Sequence, residues 1–303
     1  STEQFNGREP VSKLYNSLYS LLDRKNYLKI YEKTFARIYY SEELFNGFRF
    51  NGNFEYQDRK PLFNSSNYSW VSRDYNYTSN NPIDETDFSA SFTPHTIWSA
   101  SVGAAITFGQ QYLSYPDQKF NIGNEKYPRL YVGYRKNFGA ENSELNSDMF
   151  FARLNQNIDL GNFGEFKYNI RAGIFAAKKD IAFMDYLHPN GNQFQIVDNN
   201  YTDRFGILEY YRFSTNDKYA EMHFEHNFKG FVLSKIPLVN KLGFHLVGGA
   251  KGLFTADTKP YSEVSVGLDN IGYGKWRFLR VDYVRSNFNG TQSSGWLFGL
   301  SLF

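Results

Sequence analysis

Apolar and polar residues alternate along this chain in runs of about ten, and this alternation restricts the folds open to it. In one run, Trp98, Val102 and Ile106 alternate with Ser99 and Ser101. Such a period of two places successive side chains on opposite faces of a β-strand. Similar runs lie at 48–57, 150–159, 166–176, 263–269 and 279–283. Because about ten residues cross a bilayer at a tilt of roughly 45°, each run is long enough for a transmembrane strand.

Weaker alternation extends this pattern to about eleven or twelve strands. These further strands are predicted at 27–40, 128–138, 218–230 and 242–255. Short turns rich in Gly and Asn, at 161–164 and 270–274, join some strands, whereas long connections near 58–95 and 178–217 join others. Short turns at one end and long extracellular loops at the other are typical of outer-membrane barrels.

The composition favours the same class of protein. Phe, Tyr and Trp number 30, 24 and 4, which is 19% of the 303 residues. In a transmembrane barrel, aromatic girdles combine with a polar lumen, so the average remains hydrophilic. A net charge of +2 does not indicate a nucleic-acid-binding surface. The absence of Cys excludes disulfides and thiolate metal sites. No run approaches 18 apolar residues, which excludes a membrane helix.

We therefore predict an all-β fold, an antiparallel transmembrane β-barrel of the bacterial outer membrane over residues 27–303. Residues 1–26 form a short connecting segment, in which 10–25 can make one helix. The chain ends on Phe303 after an alternating run, a closing signal typical of bacterial barrels, although Phe303 lies on the face opposite the apolar residues of that run. Bacterial barrels normally have an even number of strands, and eleven is odd. We therefore expect the first strands to precede Ser1, which makes this chain the C-terminal part of a larger barrel.

Six short strings carry a resemblance to a known family. They are NYLKIY at 26–31, TSNNP at 78–82, YPDQKF at 115–120, HPNGNQ at 188–193, EHNFKGF at 225–231 and KIPL at 235–238. Their order and spacing resemble the C-terminal part of a domain-of-unknown-function family of Bacteroidota outer-membrane proteins that carry a carboxypeptidase-regulatory-like domain at the N-terminus. The resemblance runs from about residue 10 to the end. It implies an outer-membrane barrel and supplies no biochemical activity.

Charged residues within the alternating runs are expected to face the lumen. The candidates are Arg49, Glu55, Arg135, Arg153, Arg171, Glu221, His223, Glu225, Arg280 and Asp282. Two interpretations compete. The charges can form a ladder of ion pairs that fills the barrel, or they can line a pore and set its ion preference. For a small or medium barrel, filling is the favoured interpretation.

Other candidate sites are weaker. Glu221, His223 and Glu225 share a strand face with His226 beside them, so a divalent metal is an alternative to lumen ion pairs. His188 lies in a long loop and is interpreted as a structural residue of a turn. The loop 63–81 presents Tyr68, Trp70, Tyr75 and Tyr77 among polar residues, which suits either sugar stacking, a protein partner or packing against neighbouring loops.

The sequence leads to a non-catalytic hypothesis without cofactor or metal. We expect a structural or assembly-accessory component of an envelope complex, integral to the outer membrane of a Gram-negative bacterium. Its expected partners are outer-membrane lipid and lipopolysaccharide, other outer-membrane or periplasmic proteins, and the upstream part of its own polypeptide, with no nucleic acid. The main alternative is a transport barrel for a solute or lipid. A soluble glycan-binding sandwich and a barrel hydrolase built around His188, His223 or His245 are weaker alternatives.

Overall fold

The alternating runs form one large, mostly antiparallel sheet in an all-β fold. The structure is a computed structural model that describes residues 1–72, 74–122, 126–176, 179–197 and 201–300. Its strands are β1 (Thr2–Gln4), β2 (Ile30–Phe45), β3 (Phe48–Pro61), β4 (His95–Thr107), β5 (Gln111–Ser114), β6 (Lys119–Ile122), β7 (Arg129–Phe138), β8 (Ser147–Asp159), β9 (Glu165–Phe175), β10 (Ile196–Val197), β11 (Lys218–Asn227), β12 (His245–Thr255), β13 (Tyr261–Tyr273), β14 (Trp276–Phe288) and β15 (Thr291–Leu300).

Helical structure is minor in this fold, at 9%. The helix α1 spans Lys13–Asp23, within the segment where the sequence allows one. The part of the chain that the structure describes has five 3-10 turns, at Ser143–Leu145, Gly161–Phe163, Phe183–Asp185, Leu233–Lys235 and Val239–Leu242. No helix among the described residues is long and apolar enough to span a membrane.

The main sheet has thirteen strands, and successive long strands pair as hairpins. Its order is β1-β2-β3-β4-β7-β8-β9-β11-β12-β13-β14-β15-β10, with β5 and β6 forming a separate hairpin. Of the pairings between described strands, only that of β10 with β15 is parallel. Eleven of the described strands have ten residues or more, which agrees with the predicted number. Over the described residues the sheet does not close into the predicted barrel, because its two edges, β1 and β10, are not paired with each other.

The connections are distributed unevenly between the two ends of the sheet. The longest ones, 62–94 and 176–217, leave the same end, which also carries residues 1–29. The opposite end carries the tight turns at 46–47 and 274–275, but also two longer connections, 108–128 and 228–244, that the sequence did not predict to be long. We call these the loop end and the turn end. The predicted closing residue Phe303 lies outside the described residues.

The two faces of the sheet have opposite character, as the alternation requires. One face, here called the outer face, is apolar and exposed: Val264, Val266 and Trp296 keep 58%, 53% and 57% of their surface accessible. Other exposed members of this face are Phe54, Val102, Val132, Phe150, Ile174, Phe254 and Phe298. The other face, the inner face, carries buried charged and polar residues, including Glu55, Glu221 and Glu263. The polar face is thus the covered one, which inverts the arrangement of an ordinary half-exposed sheet.

Candidate functional site

The inner face is covered by a single stretch of the long connection between β9 and β11. We call residues 179–197 and 201–217 the interior segment. It contacts strands from β3, through Asp185, to β15, through Val197. Those two strands are nine steps apart in the sheet, which is about 43 Å if the sheet were flat. The connecting chain includes a 3-10 turn and a tight turn at 189–191, so it is not extended, and the sheet must curve around it.

Glu263 on β13 holds the middle of the interior segment. Its carboxylate accepts the backbone N–H groups of Gly206 and Ile207 at 2.6 and 3.0 Å, and the hydroxyl of Tyr261 at 2.7 Å. Lys251 lies 4.0 Å from the same carboxylate and donates to the carbonyl of Arg204 at 2.8 Å. Glu263 is 2% exposed, so this charge is stabilised by protein donors rather than by water.

Asp185 attaches the beginning of the interior segment to the other side of the sheet. Arg59 on β3 donates to its two carboxylate oxygens at 2.5 and 3.0 Å, a bidentate geometry. Asn137 on β7 donates to the same carboxylate at 3.1 Å. All three residues are buried.

Asp203 binds β8 and β9, which lie between the strands that carry Arg59 and Glu263. It accepts from Arg171 on β9 and from Asn169 at 3.0 Å, and it lies 3.5 Å from Arg153 on β8. The arginines that alternate with apolar residues on β8 and β9 therefore meet a carboxylate of the interior segment, and Arg171 also lies 3.5 Å from Glu221 on the neighbouring strand β11.

The N-terminal residues reinforce the interior segment. Arg8 makes a bidentate ion pair with Glu221 on β11 at 2.5 and 3.0 Å and donates to the carbonyl of His188 at 2.7 Å. Asn6 donates to the side chain of Asn190 at 3.1 Å. Phe5 packs in a buried cluster with Tyr31, Ala182, Met184 and Tyr211.

The HPNGNQ string forms the centre of the interior segment. The Asn192 amide donates to the carbonyls of Phe194 and Gly206 at 2.7 and 2.9 Å, which closes a loop within the segment. A Cβ atom at Gly191 would lie 2.5 Å from the carbonyl oxygen of Leu208, so only glycine fits there. These constraints give a structural role to one of the six strings.

His188, in the same string, is buried and structural, as interpreted from the sequence. Its Nε2 lies 2.9 Å from the carbonyl of Phe183 and its Nδ1 lies 2.7 Å from the hydroxyl of Ser214. Burial lowers the pKa of His188 to about 3, so the ring is neutral at pH 7 and donates through Nε2. Neither neighbour is a carboxylate, and the ring has no arrangement suited to a hydrolase triad.

Comparison with known families identifies the family of the chain. A model of the C-terminal domain of a family of unknown function, DUF5686, matches residues 1–268. The chain belongs to this family. No curated protein matches it. The Bacteroidota origin and the N-terminal carboxypeptidase-regulatory-like domain, which the six strings imply, stay predictions.

The remaining lumen candidates of this DUF5686 domain lie on the inner face and differ in burial and in their ion pairs. Arg280 binds Asp282 at 2.7 and 2.9 Å and Glu225 at 2.8 Å, and the ring of Tyr201 stacks 3.6 Å from its guanidinium carbon. Glu55 binds Arg37 and Lys33, at 2.8 and 3.3 Å.

Arg49 differs from these buried candidates, because it lies near the turn end and is 57% exposed, with Glu43 at 3.8 Å. Arg135 lies beside a cavity described below.

His223 and its neighbours do not form a metal centre in the DUF5686 domain. Glu221 binds Arg8 and Glu225 binds Arg280, so both carboxylates are engaged by guanidinium groups. His223 is 1% exposed and packs against the ring of Phe205 at 4.7 Å. His226 lies on the outer face and contacts the carbonyl of Phe163 at 3.0 Å. In the described ranges, no group of three or more His, Cys, Asp or Glu could hold a metal ion.

The aromatic loop of the domain lies at the loop end, above α1. Tyr68 and Trp70 are 66% and 63% exposed, and the backbone N–H of Trp70 donates to Leu21 at 2.8 Å. Tyr75 donates to the backbone carbonyl of Asp23 at 3.1 Å. Tyr77 is only partly exposed. The loop is thus anchored to α1 while the rings of Tyr68, Trp70 and, at 43%, Tyr75 are exposed to solvent.

Sequence reasoning missed the residues that fill the inner face. Asp185 and Asp203 lie in a stretch without periodicity, so nothing distinguished them from loop carboxylates. Lys251 lies in a predicted strand at an inner-face position, and that register was a usable signal. Arg59 also follows the inner-face register, two residues beyond the run that ends at Gln57.

Proposed function

We propose that this open sheet belongs to a membrane-embedded β-barrel whose interior is filled by its own chain, and that the domain acts as a structural or assembly-accessory component of the outer membrane. The observation that carries the proposal is the interior segment, which covers the inner face across strands β3 to β15. A filled interior suits a scaffold and opposes an open pore.

The outer face supports the location in a membrane. Exposed apolar side chains extend over strands from β3 to β15, far beyond the isolated apolar residues normal on a soluble protein. In a bilayer these side chains contact lipid, while the charged inner face stays with the interior segment. Two observations count against the weaker functions: no second sheet covers the outer face within the described residues, as a soluble glycan-binding sandwich requires, and His188 binds a carbonyl and a hydroxyl, which disfavours a hydrolase centred on that residue.

Arginine substitutions on the outer face test the membrane location. Val266→Arg, near the middle of β13, is expected to destabilise the membrane-inserted protein by about 2–4 kcal/mol, because a charge at the midplane is costly. Ser262→Arg, on the same face but near the end of the strand, is the matched control and should cost about 0–1 kcal/mol. Folding into lipid vesicles under urea titration measures both values. If the two variants are equally stable, the outer face does not contact lipid.

Conductance and cross-linking distinguish a scaffold from a transporter. The intact protein in a planar bilayer should show no steady conductance, whereas stable conductance steps would favour transport. A photo-crosslinker at Trp70 should capture a stoichiometric envelope protein in native membranes, with Glu144, on another connection of the loop end, as the control position. Capture at neither position, or equally at both, would contradict the assembly role of the aromatic loop.

A further inference from the structure

A cavity remains where the interior segment does not fill the inner face. It has a volume of about 340 Å³ and lies between β7, β8, β9 and β11 on one side and residues 6–8 and 184–188 on the other. This volume is within the range of small-molecule sites, roughly 300–1,000 Å³. Tyr131, Phe151 and Tyr219 provide aromatic walls.

The cavity is lined by four arginines, Arg8, Arg135, Arg153 and Arg171. Two of them are fixed by carboxylates: Arg8 binds Glu221, and Arg171 binds Asp203. Their ion pairs hold the guanidinium groups in place, so the lining is built before any ligand arrives.

Within the described ranges, the guanidinium groups of the other two arginines are not held by a close carboxylate. Arg153 donates through Nε to Asn169 at 2.9 Å, and among the described residues its one carboxylate contact is Asp203 at 3.5 Å. Arg135 has no ion-pair partner in the parts of the chain that the structure describes.

A count of charges shows a positive excess. With Arg59, which binds the lining residue Asp185, five guanidiniums face three carboxylates: Asp185, Asp203 and Glu221. The excess is two positive charges beside a partly apolar wall. Guanidinium groups bind carboxylates and phosphates through paired N–H donors, so an oxyanion is the complement of this lining.

Solvent reaches the cavity from the turn end. The side chain of Arg153 is 42% exposed, and Asn155 and Asn157, further toward that end on the same inner face, are partly exposed. Toward the loop end, Asn137 and Ser147 are buried at 2% and 5%. The sheet itself separates the cavity from the outer face, so a water-soluble ligand rather than a bilayer lipid has access.

We propose that this cavity binds a small organic anion, with a carboxylate or phosphate held by Arg135 and Arg153 and an apolar or aromatic body against Tyr131, Phe151 and Tyr219. The site lies outside the scaffold function proposed above, because it needs neither a partner protein nor a pore. It gives the filled interior a ligand that enters from one end.

Calorimetry with the whole chain in detergent tests the site. The probes are phenyl phosphate, benzoate, inorganic phosphate and the neutral benzyl alcohol. Phenyl phosphate or benzoate should bind, inorganic phosphate should bind at least tenfold more weakly because it lacks the apolar body, and benzyl alcohol should not bind measurably. The double variant Arg135→Gln with Arg153→Gln should lower the affinity at least tenfold.

Arg49→Gln is the matched control, because Arg49 lies on the same face outside the cavity. It should leave the affinity unchanged, and circular dichroism checks that each variant is folded. The proposal is overturned if no probe binds, if the double variant binds as well as the unaltered protein, or if Arg49→Gln weakens binding equally. Preference for the phosphate or for the carboxylate probe then assigns the class of anion. Conductance and cross-linking do not enter this test, so its failure is separate from failure of the scaffold function.

Discussion

The contact between Glu263 and the interior segment gives the sharpest prediction about stability. In Glu263→Gln, the side chain keeps one acceptor oxygen, and its NH₂ group then faces a backbone N–H of Gly206 or Ile207. One buried donor loses its partner, and Lys251 loses the carboxylate beside it. A hydrogen bond to a charged group contributes about 1.5–3 kcal/mol, so we expect the interior segment to lose about 3 kcal/mol of local stability.

Hydrogen–deuterium exchange followed by mass spectrometry measures this loss directly. At about 1.4 kcal/mol per factor of ten, amides of residues 201–213 should exchange about a hundredfold faster in Glu263→Gln. Glu209→Gln is the matched control in the same segment, because Glu209 is 59% exposed and pairs with Arg212 at the surface. Surface pairs contribute little, so its exchange should be unchanged. Equal exchange in both variants would show that Glu263 does not hold the segment.

Two further predictions concern the same segment. Asp185→Asn leaves the buried Arg59 without its counter-charge and should lower the free energy of unfolding in urea by about 3–5 kcal/mol, whereas Asp58→Asn, at a partly exposed pair with Lys60, should have little effect. Because the folded-state pKa of His188 is about 3 and its ordinary value is 6.5, the unfolded chain takes up a proton first as the pH falls. Stability from this residue is therefore complete above about pH 6.5 and is lost as the pH falls toward 3, by up to about 1.4 kcal/mol per pH unit. Urea titrations at pH 7.5 and 5.0 should show this loss in the unaltered protein, and a smaller one in His188→Gln.

The sheet was predictable from sequence because its signal is periodic. Alternation gave the number of long strands and the face of Glu55, Glu221 and Asp282, since a period of two leaves no other choice of face. The bounds were less accurate where alternation weakens: β2 continues to Phe45, beyond the predicted end at 40, and β11 ends at Asn227 rather than 230.

The filling of the inner face was not predictable, because the segment that fills it has no period. Asp185 and Asp203 are separated from their partners on β3 and β9 by more than thirty residues, and no local pattern joins a loop carboxylate to a strand arginine. Whether the sheet closes into a barrel could not be predicted from the sequence either, because alternation fixes the faces of a strand and not the partners of the edge strands.

The chemistry of the contacts explains how a polar interior can hold one arrangement. Buried ion pairs add little net stability compared with apolar packing, but breaking one by moving its partner is costly. Asp185 and Asp203 bind different parts of the sheet, Glu263 on the sheet binds the interior segment, and each carboxylate requires its own donors at hydrogen-bond distance. The apolar clusters around Phe205 and Val197 tolerate small shifts, whereas these carboxylates do not. The interior segment is therefore fixed in register by its charges, and the excess of arginine beside it is what remains after those carboxylates are paired.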